Sequence, residues 1–219
     1  MTASISRLYD DPQAASQAIR DLEAAGLPSK DISIVSSNAD NWYSEDGSKL
    51  KHNKMDRGSK VDRDNDGVDD RTEAAGAGAG IGAAVGGTAG LLAGLGIMAI
   101  PGIGPVVAAG WLAATAAGAL AGGAAGGIIG ALTQAGVSKD EAEIYAEGIR
   151  RGGTLVCARV PDKDRSRYEG ILEADAVNIR ERADAYREAG WRGFDPNARP
   201  YDSDQVRTER EVYREGPRR

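Results

Sequence analysis

The chain has 219 residues, a net charge of −6 and a single cysteine, Cys157. That length holds one mid-sized domain with extra segments, or two small domains, and a mixed, net-acidic charge argues against a nucleic-acid binder, which would be basic overall or carry a basic stripe. One cysteine excludes an intrachain disulfide, and an aromatic content of only 5 % argues against a large aromatic-rich core.

The opening residues, MTASISRLYDDPQAA, show no basic start followed by an apolar run, so no signal peptide is expected. Residues 1–37 read as β-α-β. ASISRLY, residues 3–9, suits a short strand. Asp11 and Pro12 then read as the N-cap and first position of a helix. Ala15, Ile19 and Leu22 give that helix an apolar stripe. Gly26-Leu27-Pro28 reads as its stop. DISIVSS, residues 31–37, alternates Ile32 and Ile34 with polar residues and reads as a strand.

Residues 38–73 are polar and read as a linker. Within it, DRDNDGVDDRTE, residues 62–73, matches the calcium-loop pattern D-x-[DN]-x-[DN]-G-x₅-E at every specified position. Asp62, Asp64 and Asp66 would supply the first carboxylates, and Gly67 the sharp turn. Val68 would offer its backbone carbonyl, Asp70 a direct or water-bridged oxygen, and Glu73 a bidentate carboxylate. A hard cation such as Ca²⁺ prefers six to eight oxygens, and this loop concentrates them. The sequence GSKV before it is a poor entering helix, and Asp69 stands where an apolar residue is usual. A solvated acidic linker is therefore the competing reading.

Residues 74–138 contain no charged residue. Gly78, Gly82, Gly86, Gly90 and Gly94 recur every fourth position, the spacing of one helix face. Gly118, Gly122, Gly126 and Gly130 repeat the device. Between the two tracks, AIPGIGPVV, residues 99–107, reads as a turn. The pattern predicts an antiparallel helical hairpin over about 76–99 and 105–134. Folded at Gly104, it sets Gly78 against Gly130, Gly82 against Gly126, Gly86 against Gly122 and Gly90 against Gly118. Such ridges let two backbones approach closely. Each arm reaches the roughly 20 residues a bilayer needs, although Ala and Gly dominate. Leu or Ile contributes only about −0.3 to −0.6 kcal/mol at the centre of a span. Membrane association, soluble self-association and a core hairpin all remain open.

Residues 139–182 read as α-β-α-β. Ser138 to Glu141 matches a capping box and Gly152-Gly153 closes the helix. TLVCARV, residues 154–160, reads as a strand. Residues 162–174 read as a helix with Tyr168, Ile171 and Leu172 on one side, and AVNIRER, residues 176–182, as a last strand. Residues 183–219 are a charged tail with one short helix near 203–214 and little fixed core. The two halves together predict an α+β fold. It is a ferredoxin-like four-stranded sheet with helices on one face, split by the glycine-rich hairpin.

No catalytic set is visible. His52, the one histidine, lies in the polar linker. Cys157 alternates within a strand and reads as a small buried residue, since no histidine can be assigned to activate it. Lys51, Lys54, Arg57 and Lys60 are interleaved with acids and read as a solubilising patch.

The stretch SRLYDDPQAASQAIRDLEAAGLPSKDISIVSSNADN resembles the opening of bacterial general stress proteins with the heat-induced YflT-type domain. The stretch from LLAGLGIMAIPGIG through TLVCARV resembles the glycine-rich middle of longer proteobacterial members. REAGWRGFDP, residues 187–196, resembles their C-terminal segment. The resemblance implies a stress-induced protein of the cytoplasm or the cytoplasmic face of the inner membrane, and no reaction. The expectation is a non-enzymatic stress protein whose glycine-zipper hairpin associates with membrane lipid, with other copies, or both. Its possible cofactor is Ca²⁺, with no nucleic acid and no small-molecule substrate. The alternative is a soluble homo-oligomer with the hairpins packed as its core.

Overall fold

A computed structural model describes residues 2–43, 95–121 and 127–214. In chain order the elements are β1 (Thr2–Tyr9), α1 (Pro12–Ala24), β2 (Ile32–Ser37), β3 (Gly96–Ile100), β4 (Gly104–Gly110), α2 (Trp111–Ala121), α3 (Gly127–Gln134), α4 (Lys139–Arg150), β5 (Thr154–Pro161), α5 (Arg165–Glu173), α6 (Ile179–Glu188) and α7 (Ser203–Arg214). The strands form one five-stranded sheet in the order β1-β5-β2-β4-β3. Every neighbouring pair is antiparallel.

Local chemistry accounts for the first half. Asp11 caps α1 by accepting from the Gln13 N–H at 2.8 Å, and Pro12 occupies the first turn, where its missing N–H costs nothing. The helix stops at Gly26, with the Leu27 N–H returning to the Leu22 carbonyl at 3.0 Å. α4 opens at Ser138, whose hydroxyl accepts from the Glu141 N–H at 3.3 Å and donates to the Glu141 carboxylate at 3.0 Å.

The helices occupy both faces of the sheet, not one. Alternate residues of each strand point to opposite faces. Ile5, Tyr9, Ile32, Ile34, Val156, Ala158 and Val160 pack with α1 and α5. Leu8, Val35, Val106, Ala108, Leu155 and Cys157 pack with α2, α3 and α4. Burial on both faces explains why β2 is closed to solvent at every residue.

Further expectations are corrected. Residues 96–100 and 104–110 form a β-hairpin where the ends of two helices were expected. Pro101-Gly102 makes the turn. Gly102 has φ +75° and the Ile103 N–H donates to the Ile100 carbonyl at 3.1 Å, the pattern of a Pro-Gly type II turn. β-branched Val106 and Val107 then favour the strand. Gly110, at φ +88°, turns the chain out of the sheet. A Cβ there would lie 2.3 Å from the Ile32 carbonyl oxygen. α2 starts next, its Leu112 N–H donating to the Ser33 hydroxyl at 2.9 Å. The expected second arm, 105–134, is thus a strand and two helices of the domain, with Leu112, Ala116, Ile128 and Leu132 in the core.

Residues 176–182 supply no strand. Asn178 caps α6 by accepting from the N–H groups of Arg180 and Glu181. Only the Val177 N–H reaches β1, donating to the Leu8 carbonyl at 2.7 Å. The tail beyond 183 does have a fixed core. Tyr186 and Val206 are fully buried, and Tyr186 packs edge-on to Trp191 and Tyr213.

Candidate functional site

The calcium-loop residues Asp62, Asp64, Asp66, Val68, Asp70 and Glu73 lie outside the described residues. So do Gly78, Gly82, Gly86, Gly90, Gly94, Gly122 and Gly126. What is described is where that part of the chain leaves and returns. β2 runs into Asn38, whose side chain holds Tyr43 twice. Its amide donates to the Tyr43 carbonyl at 3.1 Å and its oxygen accepts the Tyr43 N–H at 3.0 Å. The Trp42 indole donates to the Ser37 carbonyl at 2.6 Å. The Tyr43 hydroxyl then donates to the Leu95 carbonyl at 3.0 Å, across 52 positions of sequence. The two ends of segment 44–94 are therefore fastened together at the β3 edge of the sheet.

Gly118 and Gly130 are described. They lie on α2 and α3, and a Cβ added at either would meet no described atom within 4 Å. At these two positions the small side chain does not permit a close approach among the described residues. Helices α2 and α3 bury other residues, Ala113, Ala116, Ile128 and Ala131.

The most developed polar assembly, which sequence reading missed, joins the end of α4 to the C-terminal segment. Glu147 is 1 % exposed at its side chain. It accepts from Arg150 at 2.7 and 2.8 Å and from Arg151 Nε at 2.6 Å. Arg151 also donates to Glu209 of α7 at 3.1 Å and lies over the Tyr186 ring. Arg182 of α6 grips Asp10 with two bonds of 2.7 Å and stacks on Tyr213 at 3.5 Å. Arg210 pairs with Asp40 and donates to the Gly152 carbonyl at 3.0 Å. Burial is the largest single influence on Arg151 and Arg182 and opposes their charge, but the carboxylate hydrogen bonds and the attraction of nearby acidic groups together outweigh it and raise both above the ordinary arginine value. Burial raises the Glu209 carboxyl, against the pull of Arg151.

Beside this assembly lies an open groove of about 520 Å³, lined by Asp10, Asp11, Ala14, Asp175, Arg210 and Tyr213. Asp10 and Arg210 are each held by an opposite charge, so these pairs lock α6 and α7 to the loops that follow β1 and β2. The signal for it was legible as the acid-arginine spacing of EGIRR, residues 147–151, on one helix end. Its distant partners were not. Cys157 is buried beside the Ser6 hydroxyl at 3.2 Å, and burial pushes its thiol up to about 12. Among the described residues no group of three or more His, Cys, Asp or Glu could hold a metal ion, and no helix is long and apolar enough to cross a membrane.

No family model, curated protein or solved structure matches the chain.

Proposed function

We propose that the chain is a non-enzymatic bacterial general stress-response protein, an α/β scaffold that carries segment 44–94 as its association segment. The observation that carries this reading is the clasp from Tyr43 to Leu95. The acidic loop and the charge-free ridge Gly78–Gly94 are thereby strung between two points fixed at one sheet edge. The ridge serves contact with membrane lipid, with other copies, or both, at the cytoplasmic face of the inner membrane or in the cytoplasm. The acidic loop takes Ca²⁺ beside the ridge's entry at Glu73. The stress-response part rests on the resemblance to YflT-type proteins.

The soluble homo-oligomer is the second reading, and one observation favours it. Helices α2 and α3, expected as the second arm of a membrane hairpin, are packed into the domain core. A single charge-free stretch, 74–94, is left for a bilayer, and its partner would then come from another copy. Fractionation of the untagged protein with an alkaline carbonate wash separates the two. Retention in the washed pellet supports lipid contact. A large particle without detergent supports the oligomer. A small soluble species would overturn both.

A further inference from the structure

Among the described residues the outer edge of β3 has no neighbouring strand, and it carries a hydrogen-bonding pattern that is complementary to itself. In an antiparallel ladder, opposed residues alternate between pairs that exchange both backbone bonds and pairs whose N–H and C=O turn away from each other. Pro105 stands opposite Ala99, and its carbonyl accepts from the Asn38 N–H at 2.8 Å, on the β2 side. Pro105 thus faces β2, and Ala99 turns its N–H and C=O to the outer edge. By alternation Ile97 does the same.

Both ends of this edge are closed. Leu95, the next outward residue on one side, gives its carbonyl to the Tyr43 hydroxyl. Pro101, the next on the other, has no N–H. Between them the N–H and C=O groups of Ile97 and Ala99 have no partner among the described residues. The strand carries no charge, bulge or internal proline, the usual protections of a sheet edge. Ile97 is 38 % exposed.

We infer that β3 is the seam of a two-fold dimer, pairing antiparallel with β3 of a second copy so that Ile97 meets Ala99 and Met98 meets Met98. This register engages all four outward groups on each side. Shifting it by two residues one way sets Ala99 against Leu95, whose carbonyl Tyr43 already holds. Shifting it the other way sets Ile97 against Pro101, which has no donor. A shift of one sets outward groups against inward ones. The absence of charge from residues 74–138 means that no like charges meet across the two-fold. A second copy is the occupant that satisfies every one of these terms. The inference is independent of the glycine ridge.

The test uses the full chain carrying Gly86→Asp, so that assembly through the ridge does not mask the seam. Met98→Cys places a thiol at a half-buried position on the two-fold, while Cys157 is fully buried. Opposed Cα atoms in such a pair are about 4.5 Å apart, within disulfide range. Ile97→Cys is the control, because its copies stand two residues out of register, beyond the roughly 7 Å limit. The expected result is an interchain disulfide for Met98→Cys and little for Ile97→Cys. Ile97→Lys, at an exposed position, should keep the circular dichroism spectrum and weaken dimerisation at least about tenfold by sedimentation. Equal cross-linking at both positions would overturn the inference. So would a dimer indifferent to Ile97→Lys, or a monomer in which residues 44–94 of the same chain shield position 98 from labelling.

Discussion

Replacing Glu147 with leucine should cost about 3–4 kcal/mol of stability. Its carboxylate is 1 % exposed and neutralises two guanidiniums whose side chains are only 14 % and 10 % exposed. Removing one member of a buried ion pair typically costs about 3–5 kcal/mol, because the other charge stays behind unpaired. The lower part of that range applies here for two reasons. Arg151 keeps Glu209 at 3.1 Å, and both arginines keep a tyrosine face, Arg150 on Tyr201 and Arg151 on Tyr186. Glu147→Gln keeps the shape and one acceptor, and should cost about 1.5–3 kcal/mol, the range for a hydrogen bond to a charged group. Urea unfolding followed by circular dichroism reads both losses as a lower midpoint at unchanged slope. For a chain of this size the leucine variant should melt about 6–16 °C lower. The loss should persist in high salt, since buried pairs are poorly screened. A change below about 1 kcal/mol for Glu147→Leu, or one abolished by salt, would refute the claim that this carboxylate is a buried junction.

Gly110→Ala adds a left-handed residue to a clash with backbone at 2.3 Å. It should destabilise by more than about 2 kcal/mol, and a near-neutral melting temperature would contradict the described turn from β4 into α2. Cys157 should resist thiol reagents at pH 8 until the protein unfolds, and stoichiometric labelling of the native chain would contradict its burial. Burial raises Cys157 to about 12 and lifts Tyr9, Tyr145 and Tyr186 above the ordinary tyrosine value. Their folded values exceed the unfolded ones of about 8.5 and 10, so their contribution is complete below those values and is lost as pH rises through the folded ones. Stability measured in urea should therefore fall between pH 9 and 12, by up to about 1.4 kcal/mol per pH unit for each group in its window. Calorimetric titration of the full chain with CaCl₂ should show one site that Asp64→Asn with Glu73→Gln removes, and an unchanged titration would reduce the loop to a solvated linker.

Sequence reading succeeded where the signal is local. Asp11-Pro12, Gly26-Leu27-Pro28 and Ser138 to Glu141 mark helix ends through bonds made within a few residues, and each lies where the pattern put it. It failed where a small-residue repeat overrode better evidence. Pro101-Gly102 flanked by Ile100, Ile103, Val106 and Val107 carried the chemistry of a β-hairpin, but the run of glycines suggested helices on both sides. A second miss is 176–182, read as a strand although Asn178 with Glu181 forms a helix cap there. Of the buried ion assembly, only the spacing of Glu147, Arg150 and Arg151 on one helix end is visible in sequence. Asp10 and Arg182 are 172 positions apart, and only the fold brings them together.

The central claim is that Gly78–Gly94 forms the association surface while the second track belongs to the scaffold. It is tested most directly by comparing Gly86→Asp with Gly118→Asp in the untagged full chain, by carbonate-washed fractionation and particle mass. Gly118 lies on α2, where an added Cβ would meet no described atom within 4 Å. The account predicts that Gly86→Asp releases the protein from membrane or large particle to a species no larger than a dimer, while Gly118→Asp leaves it where the parent protein runs. Equal effects of the two, or none from Gly86→Asp, would contradict it.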